Sequence, residues 1–160
     1  MKTKIFLFAT AFLAYFAHAE YVFSERHLKS WVANHAAKAM SGDPAACDNF
    51  TTDAEVVVHA EMLQGTWEVE GGKDEICGYL KQASAAYILL QAQLHTEYDD
   101  FVITRSRFPW LKAEVSYTAQ SLMSRAQLPN IRSTSEETMV LSRTLTGLKI
   151  SSVQAQSYTR

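Results

Sequence analysis

His35 is the first residue in this chain whose type and position could do chemistry. It falls one turn after Trp31 on a stripe of Leu28, Trp31, Val32, His35, Ala36 and Ala39, the i, i+3, i+4 pattern of an amphipathic helix. An imidazole there is either a ligand contact and general base near neutral pH, or a core histidine satisfied by a buried partner. Joined by His59 and His95 it would supply an open three-histidine zinc site. No two of the three stand at i, i+2 or i, i+4, and His95 alternates with Glu97 and Asp99 on a polar face. Neither a metal site nor a cofactor is expected. Glu97, Asp99 and Asp100 have the residue types of an acid–base dyad but read as a solvated edge or turn. Glu136-Glu137 reads as the end of a loop, opposite no basic partner.

The two cysteines, Cys47 and Cys77, are 30 positions apart, a spacing that fits neither a redox C-x-x-C nor a paired zinc knuckle. In an exported chain such a pair reads as one disulfide. Export is what the first residues predict. Lys2 and Lys4 precede an apolar run from Ile5 to Phe16, and Ala17-His18-Ala19 is a small-x-small cleavage site. The run is shorter than the roughly 20 residues that span a bilayer. Residues 1–19 therefore read as a signal peptide and 20–160 as one mature domain without a membrane span, periplasmic or, alternatively, secreted. Loss of Lys2 and Lys4 takes the formal net charge from −2 to −4. That balance, without a Lys/Arg cluster, argues against a nucleic-acid partner. The chain also lacks the G-x-S-x-G elbow, the P-loop, the dinucleotide fingerprint and H-E-x-x-H.

The elements that must position these residues follow from periodicity. Ser24 caps a first helix that Gly42 ends, and Pro44 opens a short second helix holding Cys47. Val56-Val57-Val58 is β-branched and strand-like, and a second short strand includes Thr66, Trp67 and Val69. After Gly71-Gly72 a third helix carries Ile76, Leu80, Ala83 and Tyr87 on one face, with Cys77 in its first turn. Beyond Gln91 the period becomes two. Leu94 to Ser106 is a strand bulged at Asp99-Asp100. Leu111, Ala113, Val115, Tyr117 and Ala119 alternate with polar residues. Ser124 to Ser135, with Pro129, reads as a polar loop, and two last strands join tightly around Gly147. Three helices folded onto a curved antiparallel sheet give an α+β class. The many aromatics should mostly be core, and Phe108-Pro109-Trp110 either folds over a pocket or is a partner-contact patch.

This order resembles the cone-shaped fold shared by nuclear transport factor 2, ketosteroid isomerase and the SnoaL-like cyclases. The carriers are "SGDPAA" after the first helix, "FTTDAEVVV", "GGKDEICGYL" and the closing "TMVLSRTLTGLKISSVQAQ". The resemblance implies a pocket between helices and sheet, here lined by Trp31, His35, Val56, Val58, Tyr87 and Tyr117, and a dimer through the outer sheet face. Ketosteroid isomerases place an Asp base at the end of the first strand, facing a helical Tyr and a protonated Asp on a later strand. Those positions fall at Val58, at His35 and near Met139 or Val140. Valine accepts no proton, so that mechanism does not carry over.

The expectation is an exported, non-catalytic domain that binds a small apolar ligand or a partner protein. Two other readings stand beside it: an isomerase-, cyclase- or dehydratase-type enzyme with His35 as acid–base residue, and a structural homodimerisation module. The same scaffold serves all three classes.

Overall fold

The computed structural model describes residues 2–62, 65–125 and 128–159. In chain order its elements are α1 (Lys2–Val22), α2 (Glu25–Ser41), α3 (Ala45–Asp48), β1 (Phe50–Met62), β2 (Gly65–Gly71), α4 (Lys73–Leu89), β3 (Gln93–Arg105), β4 (Lys112–Arg125), β5 (Leu128–Thr144) and β6 (Gly147–Thr159). The fold is an α+β cone: α2, α3 and α4 lie in the hollow of one curved sheet.

The strand order is β2-β1-β6-β5-β4-β3. All neighbours are antiparallel except β1 and β6, which run parallel, so the sheet is mixed. The chain path explains this exception. β6 returns to the inner edge of β1 only after α4 and three further strands, and a parallel pairing needs a long connection of that kind.

Local chemistry sets the helix ends. The Ser24 hydroxyl accepts from the His27 N–H at 3.4 Å, capping α2. Gly42 ends that helix at φ 73°, where its N–H and that of Asp43 satisfy the last carbonyls. At the start of α4 the Glu75 carboxylate accepts from the Gly72 N–H at 2.8 Å. Asp74 and Glu75 also place negative charge at the positive end of that helix. The Cys47–Cys77 disulfide ties α3 to α4 across a Cα–Cα distance of 5.6 Å.

Period two governs the sheet. In β4, Ala113, Val115, Tyr117 and Ala119 are buried while Lys112 and Glu114 face outward. The α2 stripe of Leu28, Val32, His35 and Ala39 meets that concave face. Phe23, Leu28, Val56, Val115, Leu141 and Ile150 are the fully enclosed side chains of the core. Curvature comes with broken register: β3 shifts against β4 between Asp99 and Val102, with Asp100 at φ 54°, and β5 shifts against β6 at Val140 and Leu141.

Of the stretch 124–135, expected as a loop, residues 124–125 instead end β4 and 128–135 begin β5, while 126 and 127 lie outside the described residues. Its Ser133 and Thr134 pair across the two strands with Ser121 and Gln120 of β4. The polar composition reflects what this end of the sheet faces, not an absence of strand.

The N-terminal segment is one helix through Val22 and has no break at Ala19. Ala19 is 3 % exposed and Phe23 fully buried, whereas Phe6, Leu7 and Phe8 are exposed. Phe16 meets Trp110 edge-on at 5.2 Å, and the Tyr15 hydroxyl donates to the Pro109 carbonyl at 2.5 Å. The Phe108-Pro109-Trp110 turn therefore lies against α1. Among the described residues no single helix is long and apolar enough to cross a membrane.

Candidate functional site

A cavity of about 280 Å³ opens between α2, α4 and the concave face of β1, β6, β5, β4 and β3. Its floor is apolar, with Val32, Phe50, Ile76, Met139 and Ile150, and three tyrosines, Tyr79, Tyr87 and Tyr98, form its walls. Of the six side chains expected around it, His35, Val58, Tyr87 and Tyr117 line it. Val56 is packed into the core beneath, 1 % exposed. Trp31 stands behind the wall, stacked on His35 with centroids 5.6 Å apart and planes at 10°.

His35 is held on three sides. Trp31 covers one ring face, the Phe50 edge meets it at 5.6 Å, and its Nδ1 lies 2.9 Å from the Asn49 side-chain nitrogen. Burial, helped by the nearby Lys38 charge, lowers its pKa to about 4. A neutral ring that accepts the Asn49 amide at Nδ1 carries its proton on Nε2. His35, which lines the cavity, is uncharged at neutral pH.

Opposite it stands Glu137, which the sequence alone predicts to be a loop end. Glu137 lies within β5, and the Tyr117 hydroxyl donates to its Oε2 at 2.7 Å. Burial pushes the Glu137 carboxyl upward, opposed in part by hydrogen bonds from Tyr117 and Ser135. The residue keeps some solvent-facing surface, but its carboxyl points inward. Tyr117 itself is pushed well above its ordinary value by burial and then by Glu137, and Tyr98 is pushed up to about 12 by the same two causes. Phe101 stacks on Tyr117 at 4.9 Å and Tyr98 meets it edge-on at 5.6 Å. Two steps back from Met139 on one strand face lead to Glu137. That alternation was the available signal, and the assumed loop hid it.

The other candidates lie elsewhere. His59 borders an open trough on the convex face, and His95 sits beside Glu97 at 3.6 Å on an exposed strand. The three histidines are therefore in three separate places. The trough is larger than the cavity, about 650 Å³, and is lined by Glu68, Thr118, Glu136 and Gln156 among others. It shares Tyr117 and Glu137 with the cavity but is open to solvent, whereas the cavity brings the buried His35 to the same two groups, so the enclosed cavity is the better candidate site.

Searches against protein-family models and against curated proteins found no match. Solved structures do match. An NTF2-like protein with a cystatin-like fold from Novosphingobium aromaticivorans is 14 % identical, with a TM-score of 0.61 over 89 % of this chain and 85 % of that one. The β subunit of benzoate 1,2-dioxygenase from Burkholderia mallei is 8 % identical, with a TM-score of 0.63 over 86 % and 91 %. ActVI-ORFA from Streptomyces coelicolor is 14 % identical, with a TM-score of 0.61 over 80 % and 90 %. The chain has the nuclear transport factor 2-like cone fold.

Proposed function

We propose that the protein is an exported, non-catalytic domain that holds a small, uncharged, largely apolar ligand in the cone cavity. One observation carries this reading: the cavity is apolar and aromatic, and burial drives His35, Glu137 and the tyrosines that line it toward their neutral forms. Val58 occupies the position of the isomerase base and accepts no proton. Export rests on Lys2 and Lys4, the apolar run and Ala17-His18-Ala19. A disulfide suits an oxidising compartment, the periplasm first and full secretion as the alternative. A thermal-shift series with n-octanol tests the binding reading. Wild type should be stabilised, and Ala36→Phe, which plugs the cavity from α2, should abolish the shift. An unstabilised wild type across this alcohol and its apolar analogues would refute it.

A second reading, an isomerase-, cyclase- or dehydratase-type enzyme, draws on Glu137. His35, the acid–base candidate from sequence, is a poor base with a pKa near 4. It would act as a hydrogen-bond donor, and Glu137 would carry the proton. The benzoate 1,2-dioxygenase subunit gives an enzyme context for this fold. Turnover lost in Glu137→Gln but kept in His35→Gln would favour this reading over simple binding. A homodimer through the convex sheet face, where Val57 and Val102 are exposed, is the surface-based alternative. Sedimentation at high concentration separates monomer from dimer.

A further inference from the structure

Five hydroxyl side chains share the concave face at one end of the cavity: Thr96 on β3, Ser121 on β4, Ser133 and Ser135 on β5, and Ser157 on β6. They form a cross-strand row. Ser121 pairs in register with both Thr96 and Ser133, and Ser135 pairs with Ser157. The Thr96 and Ser121 hydroxyls lie 2.9 Å apart, and Ser135 hydrogen-bonds to Glu137. The row therefore continues into the Tyr117–Glu137 pair.

The placement needs a cause. On three of these strands the same face is apolar further along: Ala113, Val115 and Ala119 on β4, Met139 and Leu141 on β5, Ile150 and Val153 on β6. Strands select β-branched and aromatic side chains, and an inward face over a core selects apolar ones. Four inward serines satisfy neither preference. All five hydroxyl residues are half-buried, so they are partly withdrawn from water while retaining hydrogen-bonding capacity. No lysine or arginine lines the cavity among the described residues, so nothing there would neutralise an anionic ligand.

We propose that this row is a polar subsite, and that the cavity's ligand is a neutral molecule with an apolar body and an oxygen-rich end. The apolar body lies over Val32, Phe50 and Ile150, and hydroxyl or carbonyl oxygens of the other end exchange hydrogen bonds with the serine row. An anionic end is rejected, because it would be desolvated beside an acidic carboxyl without a countercharge. This inference rests on the binding reading above and specifies its ligand class.

Three probes with one common tail test it by calorimetry on the full chain: n-octanol, octyl β-glucoside and octanoate. With several hydrogen bonds gained, wild type should bind the glucoside about tenfold or more tighter than octanol, and octanoate more weakly than octanol. Ser121→Ala/Ser133→Ala/Ser157→Ala should erase the glucoside advantage while weakening octanol, with its single hydroxyl, far less. The single variant Ser133→Ala, the least disruptive to the sheet, should reduce that advantage in the same direction. Equal affinity of wild type for octanol and glucoside overturns the subsite while leaving the binding reading intact. An advantage that survives the triple substitution overturns it too. Failure of all three probes to bind overturns both.

Discussion

His35 and Glu137 face the same cavity from opposite walls, one on a helix and one on a strand, and burial acts on them in the same chemical sense. Each is driven toward its neutral form, which lowers the pKa of the base and raises that of the acid. Their supports differ. His35 is enclosed by two aromatic rings and one amide, whereas Glu137 sits in a chain of hydroxyls that continues along the sheet. The helix side thus sets one enclosed imidazole beside the Tyr79 and Tyr87 hydroxyls, and the sheet side is an adaptable polar strip. A ligand held between them meets an uncharged site with one apolar and one hydrogen-bonding pole.

The largest expected effect sets a scale for that comparison. Replacing both cysteines, Cys47→Ala/Cys77→Ala, should cost about 3–4 kcal/mol in the chain-entropy model of a 30-residue closure. It should do so equally at every pH below the thiol range, because neither pole is touched. Denaturant melts at pH 5 and pH 7 check this.

The His35 pole should show a pH dependence of its own. Its folded pKa of about 4 lies below the unfolded 6.5, so the unfolded chain binds the extra proton between these values. Stability is then lost as pH falls from 6.5 toward 4, by up to about 3 kcal/mol. His35→Gln keeps a polar partner for Asn49 and should flatten this acid limb.

The Glu137 pole runs the other way. Its folded pKa is raised above 4.5, so stability is lost as pH rises from 4.5 through the folded value. Glu137→Gln retains an acceptor for the Tyr117 hydroxyl and should remove that loss without altering the acid limb. If both variants change the same limb, the two poles are coupled and the comparison fails.

The smallest effects come from the second partners. Tyr117→Phe and Asn49→Ala each delete one hydrogen bond and should each cost about 1 kcal/mol. Tyr117→Phe should also push Glu137 further upward, because a bond that favours the carboxylate is gone. The carboxyl carbon shift of Glu137 in an NMR pH titration reads that directly.

The helix side of the cavity was legible before any coordinates because its signals are local. The Leu28–Ala39 stripe and the Ser24 and Gly42 caps act within a few turns, and they place His35 on the inward face. The sheet side was not. Glu137, Ser133 and Ser135 belong to a strand whose inward residues are polar, so the alternation that marks a buried strand is absent there. Pro129 and the run of serines then imitated a loop. The parallel β1–β6 pairing was hidden for a related reason, since a register between segments about a hundred residues apart leaves no local mark. Val56 was misplaced because strand period fixes the face of a residue but not its depth along the cone.

Native mass spectrometry on protein recovered from its own compartment tests the central claim most directly. The account predicts a chain carrying a neutral organic molecule that is lost on denaturation, together with a mass about 2 Da below the reduced value from the single disulfide. A bare chain that also takes up none of the octyl probes under the same conditions would contradict it.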